Sequence, residues 1–92
     1  MTLSFRDPEA ARLFRDEFSK KYREIEHTAR KRLVALDNAE TLQDLAAIPG
    51  HHLEALRGDR KGQHSIRVND RFRVCFVWRE PNALDVEIVD YH

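Results

Sequence analysis

Apolar and polar positions change their period about half-way along the chain. In the first half apolar residues recur at helical spacing, and Ala10, Leu13, Phe14 and Phe18 share one helical face. Asp7-Pro8 supplies the start of that helix, with aspartate as N-cap and proline at the first helical position, where a missing N–H costs nothing. Asp16/Lys20 and Glu17/Lys21 are spaced to pair on its exposed side. A second helical pattern runs from about Arg23 to Leu36, with Ile25, Ala29, Leu33 and Leu36 as its buried stripe. Thr41-Leu42-Gln43-Asp44 has the spacing of a capping box and opens a short third helix that stops at Pro49-Gly50. Leu3 to Arg6, ahead of these helices, reads as a short first strand.

From Leu53 onward the period is two. Ile66 and Val68 alternate with Ser65 and Arg67. Phe72, Val74, Phe76 and Trp78 alternate with Arg71, Arg73, Cys75, Val77 and Arg79. Leu84, Val86 and Ile88 alternate with Asp85, Glu87 and Val89. The pattern predicts three antiparallel strands with turns at Asn69-Asp70 and Pro81-Asn82, and Leu53 to Arg57 is a candidate fourth. The even-numbered face is apolar and must meet the helices, while the odd-numbered face is polar and points outward. The expected fold class is α+β, a small antiparallel sheet with N-terminal helices packed on one face.

Register follows from keeping the two faces apart. A two-residue loop at the first turn would set Ile66 against Arg73 and mix them. A three-residue loop pairs Val68 with Phe72 and Ile66 with Val74, which sets Arg67 opposite Arg73. A loop of odd length at the second turn puts Arg79 opposite Asp85 and Arg73 opposite Tyr91. Arg67, Arg73 and Tyr91 then converge on the outward face, with His92 just beyond. Like charges directly across strands repel, so an Arg67/Arg73 pair points to a bound anion.

Size and composition narrow the class. A chain of 92 residues is expected to form one domain over residues 1–92. The hydrophobic fraction of 41% is too high for a disordered segment. The longest apolar run, Val74 to Trp78, falls far short of the roughly 20 residues that span a bilayer, so no membrane partner is expected. The N-terminus lacks an apolar core of signal-peptide length, and the single Cys75 cannot form an internal disulfide; a cytoplasmic location is the expectation.

Charge matters by its distribution. Lys plus Arg number 16 against 16 Asp plus Glu, a net charge of zero. Residues 53–79 nevertheless hold Arg57, Arg60, Lys61, Arg67, Arg71, Arg73 and Arg79 against Glu54, Asp59 and Asp70, a net +4. Charge alone fits a solvated sheet face better than a phosphate-contacting surface, but the excess of arginine over lysine favours bidentate phosphate recognition. Arg57 to Gly62 is a glycine-bracketed basic loop without the spacing of a P-loop. His51 and His52 are adjacent and point to opposite faces of an extended chain, and no Cys-x-x-Cys or His-Glu-x-x-His is present, so neither metal nor cofactor is expected. Cys75 reads as a small strand filler. The strand that ends in Asp90-Tyr91-His92 brings an imidazole to the last position, and histidine suits proton transfer near neutral pH.

Four segments together resemble the HigB-type toxins of the RelE/ParE superfamily. They are Leu53 to Gly62 with its Gly-Asp-Arg loop, Ser65-Ile66-Arg67-Val68-Asn69, Arg73-Val74-Cys75-Phe76, and Val86 to the terminal Asp90-Tyr91-His92. The N-terminal helices agree in length and placement. The resemblance implies the toxin of a type II toxin–antitoxin module, which enters the ribosomal A site and cuts mRNA there. It implies a helix-turn-helix antitoxin, HigA-like, and the ribosome with its mRNA and ribosomal RNA as partners. It also implies active-site roles for Arg57, Arg73, Tyr91 and His92. Some family members carry a histidine three residues before the first of these, where this chain has Glu54; that residue is a base, a spectator or structural, and the role of Asp90 is equally open.

Metal-independent cleavage uses the 2′-OH as nucleophile on its own phosphate. It needs a base near that hydroxyl, cations for the phosphorane and an acid for the leaving 5′-oxygen. Arg73, helped by Arg57, suits the phosphate; His92 is the leading acid/base candidate; Tyr91 would orient or stack on a base. Arg60, Lys61 and Arg67 would hold backbone phosphates. Two rival readings share the fold: a ParE-like gyrase poison indifferent to Tyr91 and His92, and a non-catalytic module that only docks on an antitoxin or another partner.

Overall fold

A computed structural model describes residues 1–91 of the chain. His92, the expected acid/base residue, lies outside the described residues. The order is α1 (Pro8–Phe14), α2 (Glu26–Asn38), α3 (Leu42–Ala46), β1 (Glu54–Ala55), a 3-10 turn (Gly58–Arg60), β2 (Gln63–Arg67), β3 (Phe72–Arg79) and β4 (Asn82–Asp90). The four strands form one antiparallel sheet in the order β1-β2-β3-β4. Helices cover its even-numbered face, and Leu13, Leu33, Leu36, Leu45, Ile66, Val74 and Phe76 are fully buried there. This is the α+β architecture that the alternation predicts. Among the described residues no helix is long and apolar enough to cross a membrane.

The caps behave as read. Asp7 accepts from the Glu9 N–H at 2.9 Å, and Thr41 and Asp44 close both halves of a capping box at 3.1 Å each. The end of α1 differs. It stops at Phe14, because Arg30 of α2 donates its Nε–H to the Leu13 carbonyl at 2.8 Å and Asp16 turns left-handed with φ 62°. Phe18 is left exposed past the helix end. Asp16 and Glu17 pair with Arg30 and Arg15 rather than with Lys20 and Lys21. Tyr22 is the aromatic that is buried instead, and its hydroxyl donates to Asp7 Oδ2 at 2.7 Å.

The first turn has the expected register, with Ile66 opposite Val74, Arg67 opposite Arg73, and the Val68 N–H bonded to the Phe72 carbonyl at 3.0 Å. The second turn corrects the reading. Its loop is the two residues Glu80-Pro81, so Arg79 faces Asn82 rather than Asp85, and Arg73 faces Val89 rather than Tyr91. Carried through unchanged, that even loop would set Val74 against Glu87 and mix the faces. A bulge between the Val77/Leu84 and Cys75/Glu87 pairs, where Asp85 takes φ 52°, adds the missing residue. Before the bulge the parity is reversed, so Ala83 is buried and Leu84 is only half-buried. Residues 2–6 make no strand of their own. Thr2 and Phe5 form parallel bridges to Ala83 and Val86, and Ser4 Oγ accepts the N–H of the bulged Asp85 at 2.9 Å.

Candidate active site

The outward sheet face is not simply solvated, because Ser65 and Cys75 on it are fully buried. Larger side chains roof them over. Arg73, at the start of β3, donates its Nε–H to Ser65 Oγ at 2.7 Å. Its Nη2 donates to the His52 carbonyl at 2.6 Å and reaches the Ser65 carbonyl at 3.4 Å. With its side chain only 12% exposed, the guanidinium is held on two sides, and Nη1 lies 3.9 Å from Glu54 Oε1 on β1. Arg67 faces Arg73 across the strands, but its guanidinium pairs with Asp70, so the two like charges take different partners.

Tyr91 covers Cys75. Its N–H donates to the Arg71 carbonyl at 2.8 Å, and its hydroxyl stands 3.5 Å from Cys75 Sγ. Burial pushes the thiol up from its ordinary value. Burial, reinforced by the thiol hydrogen bond, also pushes the Tyr91 phenol up to about 12. At neutral pH both groups carry their protons, so Tyr91 offers a hydrogen-bonding hydroxyl and not a ready base.

Arg60 reaches the same patch from the 3-10 turn. Its Nη1 donates to Glu87 Oε1 at 2.6 Å and to Gln63 Oε1 at 3.1 Å. The hydrogen bond to Glu87 raises its pKa further, and Cys75 and Tyr91 lie within its field. Arg57 and Lys61 are exposed in the same loop, where Gly58 and Gly62 take φ 63° and 95°. Asp90 pairs with Arg71 at 2.8 Å.

The fold therefore brings Arg60, Arg73 and Tyr91 around one patch, with Glu54 beside Arg73 and Arg67 turned to its own carboxylate. Sequence reasoning missed the residues that hold them: Ser65 and the His52 carbonyl for Arg73, Glu87 and Gln63 for Arg60. Their one signal was the odd parity of Gln63, Ser65 and Glu87, which places them on the arginine face. Among the described residues no group of three or more His, Cys, Asp or Glu side chains is placed to share a metal ion.

Residues 3–92 match the family model of HigB-like toxins, the RelE-like toxins of type II toxin–antitoxin systems. The chain is also 36% identical over 89 residues to Toxin HigB-1 of Vibrio cholerae serotype O1 (strain ATCC 39315 / El Tor Inaba N16961), with 92% of each chain covered. The chain belongs to the HigB-like toxins. As the toxin of a type II system, this HigB-like protein has an antitoxin for a partner. The family match extends through α1, α2 and α3, so it covers the helical half as well as the sheet.

Proposed function

We propose that this toxin is a ribosome-dependent endoribonuclease that cuts mRNA in the ribosomal A site and halts translation. The observation that carries the reading is the convergence of Arg60, Arg73 and Tyr91 on one patch of the outer sheet face in a HigB-like toxin. Transesterification by the 2′-OH builds charge on the phosphorane oxygens, and fixed guanidinium donors stabilise it without having to reorganise. Arg73 is such a donor, and Arg57 joins it from the exposed loop once RNA is bound. Tyr91, kept protonated, orients the reacting nucleotide or stacks on its base. His92, outside the described residues, supplies the acid/base group. Glu54, next to Arg73, is a candidate for the second proton-transfer role. Lys61 and Arg67 hold flanking phosphates of mRNA or ribosomal RNA. The antitoxin partner on this reading is a HigA-like helix-turn-helix protein, and the toxin works in the cytoplasm, where ribosomes are.

The test is mapping of mRNA 5′ ends in a translating extract. Wild type should produce cut sites in the A-site codon, each leaving a 2′,3′-cyclic phosphate. Arg73→Ala should lower cleavage by about 100-fold, the cost of losing a fixed transition-state donor, and removal of His92 should lower it by about 100-fold or more, the cost of losing a general acid/base. A 2′-deoxynucleotide at the cut position should block cleavage. Undiminished cutting by both variants, or of the deoxy substrate, would sink the assignment.

A further inference from the structure

Arg60 is anchored along one edge only. Both of its hydrogen bonds leave from Nη1, at 2.6 Å to Glu87 and 3.1 Å to Gln63. Among the described residues nothing accepts from Nε or Nη2 of Arg60. A guanidinium is planar, with its donors in a rigid fork, so fixing Nη1 also fixes the direction of the opposite edge. The Nε–Nη2 edge is the one that a phosphate takes with two parallel hydrogen bonds.

The anchor is itself well seated. Glu87 has a side chain only 17% exposed and stands directly opposite Cys75 in the β3–β4 register. Cys75 in turn holds the Tyr91 hydroxyl. One cross-strand pair therefore carries both supports, Cys75 for Tyr91 and Glu87 for Arg60. That pairing exists because of the bulge at Asp85: without the extra residue Glu87 would lie opposite Val74 and point into the core.

We infer that Glu87 is a positioning residue of this site, which holds Arg60 by Nη1 and presents its Nε–Nη2 edge to an RNA phosphate. The inference rests on the ribonuclease reading and adds a residue which that reading does not use. Two simpler roles make opposite predictions. A carboxylate that only neutralises Arg60 would slow cleavage, and its removal would speed it. A carboxylate that only stabilises the fold would change thermal stability and leave the cleavage rate of the folded protein alone.

The experiment compares wild type, Glu87→Gln, Glu87→Ala, Arg60→Ala and the double variant Glu87→Ala/Arg60→Ala on translating ribosomes, all assayed below their measured unfolding temperatures. Glu87→Ala should lose on the order of tenfold in cleavage rate through a misplaced guanidinium. Glu87→Gln keeps an oxygen acceptor for Nη1 and should stay close to wild type. The double variant should be no worse than Arg60→Ala, since the two residues act as one unit. In the free toxin the Arg60 guanidinium NMR signals should show slowed rotation in wild type and Glu87→Gln, and fast rotation in Glu87→Ala. Full or faster cleavage by Glu87→Ala, losses that multiply in the double variant, or Glu87→Gln as poor as Glu87→Ala would each overturn the inference. A wild type that cuts nothing overturns the ribonuclease reading instead, and the guanidinium signals then decide by themselves whether Glu87 is the anchor.

Discussion

His51 shows how one side chain ties the site to the fold. It is 1% exposed, with Nδ1 3.1 Å from the Leu45 carbonyl, and its own carbonyl accepts the Arg67 N–H at 2.6 Å. Burial, aided by the positive charge of Arg32, holds its pKa below the ordinary 6.5. The folded state therefore binds fewer protons at this position than the unfolded chain does. The stabilisation is complete above about pH 6.5 and is lost as the pH falls from there through the depressed value. Urea unfolding between pH 7.5 and 5.5 should show wild-type stability falling with acid. His51→Asn, which keeps a donor near Nδ1 but cannot be protonated, should show a flatter profile. Equal slopes would contradict a buried neutral imidazole. The burial of His51 was not legible in the sequence, because the carbonyl that satisfies it belongs to α3.

At the level of elements, the signals that start helices were read correctly, and the end of α1 and the second turn were not. The Thr41/Asp44 capping box and the Asp7-Pro8 start are encoded within four residues, and the structure contains both. The end of α1 depends on Arg30, which is 17 residues away from the carbonyl it caps. Asp7 joins the two kinds of signal, since it caps α1 through Oδ1 and receives the Tyr22 hydroxyl through Oδ2. Asp7→Ala should therefore cost about 2 kcal/mol, a lost cap plus a lost hydrogen bond to a buried hydroxyl. Thr41→Ala, which removes a cap and no tertiary contact, should cost about 1 kcal/mol. Chemical denaturation measures both, and equal losses would remove the tertiary role given to Asp7.

Over the whole molecule, a net charge of zero has a structural form. Among the described residues four arginines of the basic segment carry carboxylate partners: Arg60 with Glu87, Arg67 with Asp70, Arg71 with Asp90 and, at 3.9 Å, Arg73 with Glu54. These pairs leave a weak outward field and few cations ready to displace counterions. Naked single-stranded RNA should thus bind weakly, with a log–log salt slope no steeper than about −2, the value for roughly three phosphate contacts. Titration of a labelled RNA across a salt series measures it. A slope several times steeper would show that the carboxylates give way to phosphate, and that the paired arginines bind free RNA as well as ribosomal substrate.

The sequence by itself determined the α+β class, the buried faces of β2 and β3, and the first-turn register. All of these follow from periodicity or from groups a few residues apart, where chain geometry leaves little choice. Only the tertiary structure decided where α1 stops, how the β3–β4 register is restored, and which groups hold Arg60 and Arg73. Those outcomes depend on partners brought together from distant parts of the chain, as when Ser4 meets Asp85 and Arg60 meets Glu87. A buried donor or acceptor must find some partner, but its identity is settled only once the strands and helices have packed.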